Sequence, residues 1–418
     1  MRALALIDGE HYAPVVRAAL DELPYEFLAV HLVGGSEKLR DGAEYGVPLA
    51  ATLEAALADE RLEVVVDLSD EPVLGPRERL RLASRVLARG LPYIGADFRF
   101  DPPVLEPFAL PSLGVVGTGK RVGKTAVTAH LVRLLSQDRH VVVVAMGRGG
   151  PPEPEVIEVQ PTVESLLALS RSGRHAASDH LETAALTGVV TVGCRRCGGG
   201  LAGAVFSSNV AAGALAATAL HPDIVVFDGS GAALPPIATG RRVLVSGADQ
   251  DVGVVTGYLN AYRHLVADLV VLTMAEEGTP HRLLRERIGE LAPATPVVAT
   301  VLRPRPLEPV SGRTVAYFGT APAGAHPRIA AHLEREHGAS VVSVSGSLAD
   351  RRALHDELER LEADVVLVEL KAAAIDIVAE AAEARGIEIV LAANDVVPLD
   401  GELDLDAELL RLAAEAAA

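Results

Sequence analysis

The run Gly117-Thr118-Gly119-Lys120-Arg121-Val122-Gly123-Lys124-Thr125 has the residue types and spacing of a phosphate cradle. Its glycines let the backbone curl until successive N–H groups point inward at phosphate oxygens. In that arrangement Lys124 reaches the β- and γ-phosphates, and the Thr125 hydroxyl ligates Mg²⁺. The helix expected next adds partial positive charge at its N-terminus. Thr118 stands where ordinary Walker A spacing has its first glycine, so with Gly117 first the loop takes a longer form. The bland alternative is a glycine turn that happens to carry Lys-Thr. An apolar strand before it and a helix after it favour phosphate.

Nucleotide chemistry also wants a carboxylate at the end of a neighbouring strand. Ile224-Val225-Val226-Phe227-Asp228, followed by Gly229-Ser230-Gly231, offers one. Asp228 is the expected ligand of Mg²⁺ or of a water. The alternative is a strand-end Asp capping a turn. Asp249 and Asp251 are weaker candidates for the same neighbourhood. None of the four lysines (Lys38, Lys120, Lys124 and Lys371) sits in an Asn- or Thr-Lys-x-Asp box for reading guanine, so adenine is the expected base.

Arginines gather beside glycines. Arg148 lies in Met146-Gly147-Arg148-Gly149-Gly150-Pro151, after an apolar run, where open α/β sheets bind ligands. Arg174-His175 and Cys194-Arg195-Arg196-Cys197 follow. Guanidinium forks match phosphate bidentately, so these clusters suggest a polyanionic ligand, against the alternative of solvated surface charge. The Cys-x-x-Cys supplies only half of a zinc site and is followed by three glycines, not by a helix. A packing role or the framing of an anion loop is the simpler reading. Near the N-terminus, Glu10-His11 follows an apolar run, and His11 is a candidate ligand or proton-transfer residue.

These residues need a scaffold, and the composition describes it. The chain has 418 residues, 49% hydrophobic, enough for two to three domains each with its own core. Its net charge of −18 is the wrong sign for a general nucleic-acid binder. Apolar runs such as Val141 to Met146 are strand-length, so no membrane span is expected. The early acids Asp8 and Glu10 argue against a signal peptide, and two cysteines fit a reducing compartment. A cytoplasmic protein is expected.

Short β-rich runs alternate with helical stretches, the pattern of an α/β fold with parallel sheets. The expected organisation is a central P-loop domain (109–305) flanked by smaller α/β units (1–108 and 306–418). Two proline-rich linkers are expected, Asp101 to Pro111 and Arg303 to Pro309. The alanine-rich end after Leu409 reads as a fraying helix.

Three segments together resemble the cyclic 2,3-diphosphoglycerate synthetase family: Leu6-Ile7-Asp8-Gly9-Glu10-His11-Tyr12, the phosphate loop, and Met146 to Pro151. The loop alone is also similar to that of dethiobiotin synthetase, as Gly-Thr-x-x-x-Val-Gly-Lys-Thr. The resemblance implies ATP- and Mg²⁺-dependent closure of 2,3-diphosphoglycerate into its cyclic pyrophosphate, with release of ADP and phosphate. It assigns Gly117 through Thr125 to ATP, with Thr125 and Asp228 as metal ligands. Lys124, Asp228 and Arg148 become catalytic candidates. Arg148, Arg174, His175, Arg195, Arg196 and His11 become substrate-binding candidates, and a homodimer is an expected assembly. Other readings stay open: a ligase activating a carboxylate, a kinase of another anionic metabolite, or a nucleotide switch or metallochaperone using Cys194 and Cys197.

Overall fold

The computed structural model describes residues 1–35, 39 and 43–418. The N-terminal unit has a six-stranded sheet in the order Leu49–Ala50, Glu26–Gly34, Arg2–Asp8, Val64–Asp67, Tyr93–Ile94 and Arg99–Phe100. All neighbours are parallel except the last pair, an antiparallel hairpin of Tyr93–Ile94 with Arg99–Phe100. Runs such as Ala3 to Ile7 are buried on both faces, as crossover helices require.

Among the described residues, the rest of the chain forms a separate two-stranded pair of Glu106–Pro107 with Ile237–Ala238 and shares one thirteen-stranded sheet, twelve strands in line and Ser207–Ser208 beside Thr191–Cys197. Its P-loop half runs Glu155–Ile157, Thr191–Cys197, Val141–Gly147, Ile224–Asp228, Ser112–Gly117, Arg241–Gly247, Leu269–Thr273 and Val297–Pro306. It continues without a break into Glu388–Pro398, Val365–Glu369, Thr314–Phe318 and Ser340–Ser345. The expected linker at Arg303 is therefore a strand: Thr300 through Pro306 pair antiparallel with Pro398 through Ala392. The prolines permit this because Pro304 and Pro306 share one parity. Leu307, of the other parity, donates its N–H to Leu391 O at 2.9 Å. The missing proline N–H groups thus point away from the partner, and no ladder bond is lost.

This antiparallel joint reverses the sheet's direction. Strands Val365–Glu369 and Thr314–Phe318 run parallel to Glu388–Pro398, hence opposite to the P-loop strands. Their C-terminal ends aim back at the C-terminal edge of the P-loop half. Ligands bind at such edges in open α/β sheets, and here two of them look toward one cleft.

Helices Val163–Arg171 and Asp179–Thr187 pack the two halves together. Leu166, Leu167 and Leu181 share a core with Phe318, Val366, Val368 and Ile375. Each fully buried leucine contributes about 1.5–3 kcal/mol, so this seam is a core and not a loose contact. The C-terminal helix Leu405–Ala416 does not fray after Leu409. It returns to the P-loop half, burying Leu409, Leu412 and Ala413 with Leu131 and Leu135.

Candidate active site

Strand Ser112–Gly117, buried throughout, delivers the phosphate loop to the sheet edge, and helix Lys124–Leu135 carries it away. Gly123 caps that helix at φ +79°, a left-handed conformation that glycine adopts without a Cβ clash. A Cβ there would also meet Leu302 Cδ1 at 2.9 Å. The loop is pinned from below. Thr118 N donates to Val245 O at 3.0 Å, and the Thr273 hydroxyl donates to Val122 O at 2.6 Å. The Thr118 hydroxyl reaches Gln250 Oε1 at 3.1 Å.

Asp228 ends the strand beside the loop, only 2% exposed. Lys124 Nζ donates to its Oδ1 at 2.6 Å and the Thr128 hydroxyl donates to the same oxygen at 2.9 Å. Lys124 is therefore held in a largely buried ion pair. Asp249 lies against Gly247, and Asp251 caps helix Val252–Thr256 through Val254 N at 2.9 Å.

The arginine candidates separate. Arg148 is exposed in the turn after Val141–Gly147, and its charge acts on both Asp179 and Arg196. His175 lies beside that turn, 3.6 Å from where a Gly149 Cβ would stand. Arg196 Nη2 donates to Ser230 O at 3.0 Å, in the turn after Asp228, and burial lowers its pKa with help from Arg148. Arg174 instead donates to both oxygens of Glu155, at 2.8 and 3.0 Å, on the rim of an open cleft of about 300 Å³. Arg195 is exposed and lies on the opposite face of its strand from Arg196.

His11 contacts neither the loop nor these arginines. Its Nδ1 is 2.7 Å from Asp8 Oδ1 and its Nε2 is 3.5 Å from Asp70 Oδ2, all within the N-terminal unit. The two cysteines are free and sit in strand Thr191–Cys197, an odd number of residues apart, so they face opposite ways. Burial pushes the Cys194 thiol up to about 12. Neither cysteine belongs to a three-ligand metal cluster among the described residues.

Sequence reasoning missed four charged groups at the seam. Asp179 and Glu182 stand in the first turn of helix Asp179–Thr187, Glu369 ends strand Val365–Glu369, and Lys371 follows it. Lys371 Nζ lies 3.9 Å from Glu182 Oε1 and 3.9 Å from Glu369 Oε2. Burial would raise Glu369, but the Lys371 charge and a 2.7 Å hydrogen bond from Asn394 hold it below the usual range. Burial carries Glu182 the other way, up to about 8, against the pull of Lys371 and with the push of Asp179 and Glu369. One lysine thus ionises one carboxylate and leaves its neighbour protonated. The signal that could have found the group is the scarcity of lysine. Lys120, Lys124 and Lys371 are three of only four in the chain.

The raised Glu182 has a measurable consequence. Its stabilising contribution is complete below about pH 4.5 and is lost as pH climbs through about 8. Glu182→Gln should therefore flatten the fall in melting temperature between pH 5 and 9 by a few degrees. Lys371, Asp179, Glu369 and Lys124 face this group and are common to both proteins. Parallel melting curves would contradict the assignment.

Family models described as the N-terminal, P-loop and C-terminal domains of cyclic 2,3-diphosphoglycerate synthetase match residues 2–101, 112–301 and 306–395. A protein of Rubrobacter xylanophilus bearing that name is 50% identical, over 100% of this chain and 98% of its own. Its counterpart in Thermococcus kodakarensis is 42% identical, over 98% of each chain. Among solved structures, LpxK from Aquifex aeolicus in complex with ATP aligns at a TM-score of 0.43 and 15% identity, over 75% of this chain and 91% of that one. No helix among the described residues is long and apolar enough to cross a membrane.

Proposed function

The chain belongs to the cyclic 2,3-diphosphoglycerate synthetase family, and we propose that it closes 2,3-diphosphoglycerate into its cyclic pyrophosphate, with ATP becoming ADP and phosphate. The observation that carries this reading is a concentration of cations at one sheet edge in a chain of net charge −18. Lys124 lies in the phosphate loop, Arg148 and Arg196 act on one another beside it, and Lys371 acts on Arg121.

The chemistry asks for charge neutralisation and alignment. The γ-phosphoryl group moves from ATP to one substrate phosphate, leaving ADP. An oxygen of the other phosphate then attacks the inner phosphorus of that new anhydride and expels inorganic phosphate, closing the ring. Joining two dianions is uphill, and holding them together makes the closure intramolecular. The phosphate loop's N–H groups and Lys124 bind the ATP phosphates, while Arg148 and Arg196 hold the substrate phosphates. Mg²⁺ fits the donors present, since the Thr125 hydroxyl and the buried Asp228 carboxylate are hard oxygens at the same edge. When bound, the ion neutralises charge on the ATP phosphates. The proposal places the enzyme in the cytoplasm as a homodimer without nucleic-acid partners.

The test is ADP release with and without 2,3-diphosphoglycerate, with phosphorus NMR of the product. Stimulated release together with a cyclic pyrophosphate signal is expected. Release that ignores 2,3-diphosphoglycerate would overturn the reading. The geometry also ranks the arginines. Arg148→Ala should raise the KM for 2,3-diphosphoglycerate roughly tenfold to 150-fold, the loss of one charge-assisted contact. Arg174→Ala should stay within about threefold of wild type, since Glu155 already occupies its guanidinium. Substrate titrations at saturating ATP check both, and equal losses would show that the ranking is wrong.

A further inference from the structure

Lys371 has no part in the chemistry described so far, yet its surroundings are built with care. It follows strand Val365–Glu369, whose end the antiparallel joint turns back toward the phosphate loop. The turn that carries it is tightly bonded: Lys371 N donates to Glu369 O at 2.8 Å, and Ala374 N donates to Lys371 O at 2.9 Å. Between them Ala372 adopts φ +45°, a left-handed conformation that alanine seldom takes. Beneath the turn, Glu369 is fixed by Asn394 Nδ2 at 2.7 Å and by Thr320 N at 3.3 Å. Glu182 approaches from the helix at the seam.

The ammonium sits at 3.9 Å from each carboxylate, beyond hydrogen-bond range, and the side chain is 33% exposed. The ionised Glu369 therefore steadies its charge without drawing its donors into a hydrogen bond. A lysine needed only to bridge two buried carboxylates would approach them closely, as Lys124 does Asp228 at 2.6 Å. Arg121 of the phosphate loop and Asp179 at the seam are close enough for their charges to act on it. Its donors are thus taken up by neither carboxylate, in reach of the charge of an arginine that belongs to the phosphate loop.

We propose that Lys371 is a substrate-binding residue supplied by the C-terminal half, contacting a phosphate of the diphosphorylated substrate, with Glu182 and Glu369 as the residues that position it. The proposal rests on the cyclase reading above and adds to it that the substrate lies between the two facing sheet edges. Binding of substrate then bridges the halves through one phosphate held at the P-loop edge and another at Lys371.

The experiment uses the full chain with Lys371→Met and Lys371→Arg, titrating 2,3-diphosphoglycerate at saturating ATP and ATP at saturating 2,3-diphosphoglycerate. Lys371→Met should raise the KM for 2,3-diphosphoglycerate by roughly tenfold to 150-fold, and that for ATP by less than about threefold. Lys371→Arg should recover most of the loss by restoring the charge. A Met variant with an unchanged 2,3-diphosphoglycerate KM, or with both KM values shifted equally, overturns the role of Lys371 and leaves the cyclase reading standing. Should Lys371→Met fail to fold, the Arg variant decides. It folds with the charge in place, and a large kcat loss at unchanged KM would then speak against phosphate binding. Wild-type protein without any release stimulated by 2,3-diphosphoglycerate overturns the cyclase reading, and this proposal with it.

Discussion

Lys124→Ala is expected to lower ATP turnover by on the order of 10³-fold, because it removes the point charge that follows the transferring phosphoryl group. The structure adds a second effect. Lys124 neutralises Asp228, which is 2% exposed, and removing one partner of such a pair costs about 3–5 kcal/mol. The melting temperature should therefore fall along with activity. The two effects separate in a double-mutant cycle. Lys124→Ala with Asp228→Ala should regain much of the stability and none of the turnover. Single-turnover ATP hydrolysis and thermal melts of the three variants give both numbers. Near-normal turnover in Lys124→Ala would contradict the phosphate-loop assignment outright.

Asp228→Asn should reduce turnover by roughly 10²-fold and raise the Mg²⁺ concentration for half-maximal rate several-fold. Asn keeps the shape and still accepts from the Thr128 hydroxyl, so the loss isolates the carboxylate's charge. The KM for ATP should change less than kcat, since the loop's N–H groups carry most of the phosphate contacts. A Mg²⁺ titration curve that overlays the wild type would remove Asp228 from the metal site. In that case its role reduces to holding Lys124.

What was legible in the sequence was local. The phosphate loop announces itself because glycine spacing, lysine and threonine must be contiguous to curl round a phosphate. Asp228 could be read because four apolar residues before it define a buried strand with a polar end. The rest depends on pairing between distant segments. Arg303 to Pro309 looks like a linker since proline parity, which reconciles Pro304 and Pro306 with a strand, means nothing until the partner strand is known. For the same reason, the reversed direction of the C-terminal strands leaves no local trace, and Lys371 reads as an ordinary loop lysine. Arg174 and Arg196 look equivalent in sequence. Only the fold shows that Glu155 holds the first, while the second reaches the turn after Asp228.

The strand Val297–Pro306 has one more consequence, for colloidal behaviour. Ending there, the P-loop half would expose ten residues of unpaired backbone, a ready template for another molecule's strand. Laying Glu388–Pro398 along it moves the open border of the sheet to Ser340–Ser345, a shorter strand in which serines interrupt the valines. The opposite border is the three-residue strand Glu155–Ile157. The flank of Val297–Pro306 that outruns Leu269–Thr273 is closed differently: Ala275 N donates to Thr300 O at 2.9 Å just past the end of the ladder. Pro304 and Pro306 are buried and carry no N–H to leave unpaired on that side, so the strand can run past its neighbour without stranding a donor at either position.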